Sequence, residues 1–115
     1  TIKNCNLHHN RRNNLSITDA RNVTVKDCEF NYASGADPQY GIDIEPNKNR
    51  TCSNVTISNS RFKGNAKGTI QILGQLNAHV KGVTIENCTG DKEPLIWQGY
   101  GGSVSGVTQK GNKWG

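Results

Sequence analysis

Five segments of this chain can be laid on top of one another. "TIKNCNL" (1–7), "VTVKDCEF" (23–30), "VTISNSRF" (55–62), "VTIENCTG" (83–90) and "VTQKGNKW" (107–114) align on Thr1, Thr24, Thr56, Thr84 and Thr108. The threonines recur about every 23 to 32 residues, a period that belongs to stacked repeat folds. Within each segment apolar and polar residues alternate, which is the period of a strand. Val23 and Val25 are therefore expected to face inward, with Thr24 and Lys26 outward. Further columns follow. Asn4, Asp27, Asn59 and Asn87 stand three residues after the threonine, and Cys5, Cys28, Ser60 and Cys88 four after. Leu7, Phe30, Phe62 and Trp114 stand six after, with Gly90 breaking that column.

A second strand is expected in each unit: "LSIT" (15–18), "GIDIE" (41–45), "TIQIL" (69–73) and "PLIWQ" (94–98). A third, shorter element is marked by Ala20, Cys52, Val80 and Val104, each three residues before the valine of the next unit. One such coil cannot bury its own apolar side, so each needs a neighbour above and below. Gly and Asn interrupt the chain every few residues, and no helical period is present. The pattern predicts an all-β fold: a single right-handed parallel β-helix domain over residues 1–115, of about four coils. The Asn column is expected to hydrogen-bond the backbone at the turns. Both ends read as coils cut open, as in a piece of a longer β-helix whose exposed edges something else covers.

Only 32% of residues are hydrophobic, a fraction that would suit a disordered chain were the Val, Ile and Phe not so regularly spaced. No apolar run is long enough for a membrane-spanning helix, and no leader segment is visible. The formal charge of +5 fits an anionic partner. Nucleic acid has only that charge in its favour, without a basic and aromatic motif. The cysteines lie in core columns, with no paired metal-ligand spacing, so they read as small core fillers. Cys5 and Cys28 fall on adjacent coils, where oxidation to a bridge is an alternative. The Asn-x-Ser/Thr triplets at Asn14, Asn22, Asn49, Asn54 and Asn87 are products of the repeat. The outward threonines resemble an ice-binding array, but Lys26 and Glu86 stand beside them and spoil such a face.

The repeat, with its Asn and small-residue columns, resembles the pectin-lyase-like right-handed β-helix superfamily over nearly the whole chain. That resemblance implies lyases, hydrolases or epimerases of polysaccharides, or phage tailspikes and appendages that bind or cut surface glycans. One stretch, "YGIDIE" (40–45), is similar to the Tyr-Gly-Phe-Asp-Pro-His motif of alginate C5-epimerases. The resemblance gives Tyr40 and Asp43 the roles of that motif's tyrosine and aspartate, and Glu45 stands in the histidine's place.

By the strand alternation, Ile42 and Ile44 face inward with Leu15, Ile17, Ile70, Ile72, Leu95 and Trp97, so Asp43 and Glu45 face outward. Asp43 shares its column with Ser16, Gln71 and Ile96. Glu45 shares its own with Thr18, Leu73 and Gln98. The flank before this strip carries His8, His9, Arg11, Arg12, Tyr40, Lys63 and Lys67. Longer loops after it, "PNKNRTCSN", "LGQLNAHVK" and "QGYGGSVSG", are expected to stack into a wall. A groove results, in which a linear polymer fits. Asp43 and Glu45 lie about 7 Å apart at the backbone and are candidate acid and base, with Tyr40 as a proton shuttle. His8, Arg12, Lys63, Gln71 and Tyr100 are candidate substrate contacts. No cofactor is expected; a divalent cation on Asp43 and Glu45 is the alternative. The expected partner is a polysaccharide or other anionic cell-surface polymer such as a teichoic acid, with a homotrimer as one assembly and an extracellular or virion-associated location. The rival reading is a non-catalytic shaft or glycan-binding segment of a fibre or adhesin, in which the two carboxylates only decorate a solvated strand.

Overall fold

The computed structural model describes residues 1–115. Fourteen short strands wind the chain into coils. The first coil holds β1 (Ile2–Lys3), β2 (Asn6–His8) and β3 (Leu15–Ile17). The second holds β4 (Arg21–Lys26), β5 (Glu29–Asn31) and β6 (Tyr40–Ile44). The third holds β7 (Thr51–Ser58), β8 (Arg61–Lys63) and β9 (Gly68–Gly74), and the fourth β10 (His79–Glu86), β11 (Thr89–Gly90) and β12 (Leu95–Gln98). β13 (Ser103–Lys110) and β14 (Lys113–Trp114) begin another turn. Three parallel sheets result, ordered β1-β4-β7-β10-β13, β2-β5-β8-β11-β14 and β3-β6-β9-β12. Every strand pairs with its counterpart one coil away, the arrangement expected from the repeat.

The threonine register holds: Thr24, Thr56, Thr84 and Thr108 are Cα partners in successive strands. Val25, Ile57 and Ile85 are fully buried on the inner side. In the second sheet Phe30 stacks on Phe62 with centroids 5.1 Å apart, and Trp114 meets Phe62 edge-on at 6.4 Å. Gly90 lies between these two layers. A Cβ there would stand 2.7 Å from the Thr69 methyl and 3.0 Å from the Trp114 ring. The break in the aromatic column is thus the space into which Trp114 fits.

Four details differ from the sequence reading. First, the column of Asn4, Asp27, Asn59 and Asn87 is explained by backbone conformation. These residues adopt φ of 56°, 55°, 49° and 54°, and Gly111 takes the same place at 67°. Asn, Asp and Gly tolerate the left-handed region better than other residues. The turn bonds are made by their backbone N–H groups, as from Asn4 to the Lys26 carbonyl and from Asp27 to that of Ser58. Second, the short element at Cys52 and Val80 is continuous with the threonine strand. Asn54 and Gly82, at φ of 54° and 79°, only bend it.

Third, the register of the fourth coil is shifted by one residue. Leu95 pairs with Gln71, Ile96 with Ile72 and Trp97 with Leu73. Ile96 therefore takes the inward column, while Leu95 and Trp97 face outward. Fourth, only Cys28, Cys52 and Cys88 are buried; Cys5, in the first coil, is exposed, and all four are free thiols. Burial pushes the Cys52 and Cys88 thiols above their ordinary value. Alkylation of the native protein should therefore modify Cys5 rapidly and the other three only on unfolding. Equal rates at all four thiols would contradict the buried column.

Candidate functional site

The outer face of the third sheet carries the candidate site. Its outward columns are Ser16, Asp43, Gln71 and Leu95, and Thr18, Glu45, Leu73 and Trp97. Strict alternation would have turned Tyr40 inward with Ile42. A corner at Gly41 prevents this. A Cβ at Gly41 would stand 2.7 Å from Phe62 Cδ2 and 2.8 Å from the Thr69 carbonyl, so this position and Ile42 both face the interior. The alternation slips by one, and Tyr40 emerges on the outer side with Asp43.

Asp43 is outward of the coil yet only 6% exposed. Gln71 Nε2 donates to its Oδ1 at 2.9 Å, and Asn13 Nδ2 approaches its Oδ2 at 3.5 Å. Asn13 also accepts the Tyr40 backbone N–H at 2.9 Å, so one side chain of the first coil braces both residues. Burial raises Asp43 above the ordinary aspartate value, although the donated hydrogen bonds and Arg12 pull the other way. Glu45 is raised by burial, then by the Asp43 charge and by a hydrogen bond shared between the two carboxyls; Arg12 and a bond from Gln75 oppose this. Two carboxyls in such contact cannot both ionise at their ordinary values. Asp43, which has the more donors, is the one of the pair that ionises first.

A cavity of about 260 Å³ opens over the pair, lined by Arg12, Asn13, Ser16, Thr18 and Asn47 as well as the two acids. A second, of about 330 Å³, is lined by Asp37, Pro38, Tyr40, Lys67 and Gln71. Gln71 stands between them, bonded to Asp43 on one side and facing the Tyr40 cavity on the other. The Tyr40 phenol is raised by burial and then by the charges of Asp43 and Asp37, so it stays protonated and can donate. Arg12 is held by a bond from its Nε to the Asp37 carbonyl at 2.9 Å. The wall on the other side is built as expected: Asn49 N–H bonds to the Leu76 carbonyl, Asn77 N–H to that of Tyr100, and Asn77 Nδ2 to Asn49 Oδ1 at 3.1 Å.

A family model described as "Right handed beta helix region" matches residues 1–113. The chain belongs to the right-handed β-helix family. Among curated proteins, this β-helix is similar to the SPbeta prophage-derived uncharacterized protein YorA of Bacillus subtilis (strain 168), at 35% identity over 98% of this chain and 19% of that protein. It is also similar to the uncharacterized protein YclG of the same strain, at 34% identity over 87% of this chain and 17% of that protein. The chain thus spans about a fifth of the length of these relatives. No solved structure matches it.

The β-helix brings Arg12, Asp43 and Glu45 into one cavity and places Tyr40 and Gln71 in the next. His8 and Lys63 are not part of this arrangement. They sit in one column of the second sheet, on either side of Asn31, and line neither cavity. Tyr100 projects from the loop wall, 76% exposed, and packs on Trp97 rather than on the acids. Trp97, expected in the core, is 41% exposed. For a divalent cation the pair offers only its own two carboxyls. No third His, Cys, Asp or Glu completes a ligand group, and the Arg12 charge opposes a metal. Asn13, Asn47 and Lys67 are contributors that sequence reasoning did not single out as site residues. Only their place at the turns beside the third sheet marks them.

Proposed function

We propose that this β-helix binds an anionic cell-surface polymer, a polysaccharide or a teichoic acid-like chain, in the groove over its third sheet and performs proton transfer on it. The observation that carries this reading is the cavity that holds Asp43 and Glu45 beside the Arg12 guanidinium, with the Tyr40 phenol in the adjoining cavity. On a uronate unit, Arg12 would hold the sugar carboxylate and make the neighbouring C–H more acidic. Ionised Asp43 would take that proton, and Tyr40 would return one, either to the leaving glycosidic oxygen or to the opposite face of the carbanion. The first outcome is β-elimination and the second epimerisation.

The prophage origin of one relative supports a virion-associated setting. The test is a panel of polygalacturonate, alginate, glycosaminoglycans and purified teichoic acids. Release of unsaturated ends, or exchange of sugar C–H for deuterium in heavy water, is expected with one class. Binding without either reaction would leave a glycan-binding segment. Neither binding nor reaction with any class would overturn the proposal.

A further inference from the structure

The register of the fourth coil has a consequence for what the groove can hold. Trp97 falls in the same outward column as Glu45, with Leu73 between them. Neighbouring coils of a parallel sheet are about 4.8 Å apart, so the Trp97 position lies about 10 Å along the solenoid axis from Glu45. The column changes character on the way, from Thr18 and Glu45 to Leu73 and Trp97. Ile96 is 44% exposed because it lies on the edge strand of its sheet, with an inward side chain. Trp97 is exposed for a different reason: its side chain faces out of the coil.

The indole is held in place. A Cβ at residue 99 would stand 2.5 Å from Trp97 Cη2, so the six-membered end of the indole lies against the backbone of Gly99. Tyr100 tilts against its edge at a centroid distance of 5.9 Å. The Gln98 side chain, next to it, is fixed by accepting the Val104 N–H at 2.8 Å. An anchored indole, 41% exposed and in line with a polar acid pair, matches the alternation of a sugar: apolar C–H face and polar rim.

We infer that Trp97, flanked by Tyr100, is a stacking subsite for a sugar ring about two coils from the acid pair. The polymer then runs along the solenoid axis, and it is a ring-bearing glycan rather than a polyol phosphate. This rests on the proposed function and narrows it, because the axial spacing of the coils is close to the length of one pyranose unit. A ringless chain gains nothing from an indole face.

The test uses oligouronides of the class that the panel identifies, from dimer to hexamer, and glycerol phosphate polymer as the ringless probe. Trp97→Ala should weaken hexamer binding about tenfold and leave dimer binding within about twofold. Trp97→Phe should restore most of the affinity while removing the fluorescence change that binding produces. Binding of the glycerol phosphate polymer should not respond to either substitution. If hexamers bind the wild type and Trp97→Ala alike, the subsite is refuted while the groove reading stands. If the glycerol phosphate polymer binds the wild type and no oligouronide does, the subsite is refuted while the groove reading stands; if neither binds, both fall. A loss of self-association in Trp97→Ala with unchanged hexamer affinity would mean that protein covers the indole, and would also refute the subsite. A melting curve for each variant guards against misfolding.

Discussion

Phe62→Ala is expected to destabilise the β-helix by about 3–5 kcal/mol, the usual cost of truncating a buried aromatic. Phe62 is 3% exposed and stacked on Phe30, with Trp114 at its far edge and the Gly41 backbone against its ring. No neighbour can collapse into the space, because each coil is fixed by ladders to the next. The cavity would open in the middle of the aromatic column and loosen the coils on both sides. Thr56→Ala, on the outward face of β7, should change stability by no more than about 0.5 kcal/mol. Denaturant melts of the two variants measure the contrast. Similar losses in both would mean that the inward and outward sides of the strand have been exchanged.

The same contrast explains how much of the fold was legible. Where apolar and polar residues alternate, as in Val23, Thr24, Val25 and Lys26, one glance at the repeat sets the register, and the strands obey it. In "PLIWQ" three successive residues are apolar, so alternation carries no information there. Placement then depends on the length of the turn from Gly90 to Pro94, and the coil settles with Ile96 inside. The Asn column was visible as a column, but its cause is a backbone angle, which a letter does not state.

For the site, the outward direction of Asp43 and Glu45 was readable from period two. The burial of Asp43 was not, since it depends on side-chain torsions and on the Gln71 and Asn13 amides one coil away on either side. Arg12 was placed correctly on the flank because it lies in the turn that enters the third sheet. His8 and Lys63 end strands of the second sheet and line neither cavity, a separation that their nearness in sequence to the third sheet does not reveal. Tyr40 reaches the site only through the corner at Gly41, which alternation alone would not have produced.

Asp43→Asn is expected to reduce turnover by roughly 10²–10⁴-fold, the range supplied by a positioned acid or base. The amide keeps the shape and can still accept the Gln71 hydrogen bond, but it can neither ionise nor take a proton. Wild-type turnover should be bell-shaped in pH, because the working form has Asp43 ionised and Tyr40 protonated. Activity rises as Asp43 ionises and falls as Tyr40 loses the proton that it must return. Each limb should lie above the ordinary value of its group, since both groups are raised.

Over the acid limb, stability should move in the opposite sense to activity. A carboxyl whose value is higher in the folded state than in the unfolded chain favours folding most when protonated in both, below the ordinary aspartate value of 3.8. That advantage is lost as pH rises through the raised folded value. At neutral pH the wild type therefore bears the cost of a buried charge beside a second carboxyl, and Asp43→Asn removes it. The variant should melt at a higher temperature than the wild type at pH 7, with the difference vanishing toward pH 3. A buried charge that lowers stability is what a site selected for chemistry would retain. If Asp43→Asn keeps full turnover on the glycan identified by the panel, the pair is not catalytic. If it also melts lower than wild type at pH 7, Asp43 is a structural bridge between coils, held by Gln71 and Asn13 for that purpose alone.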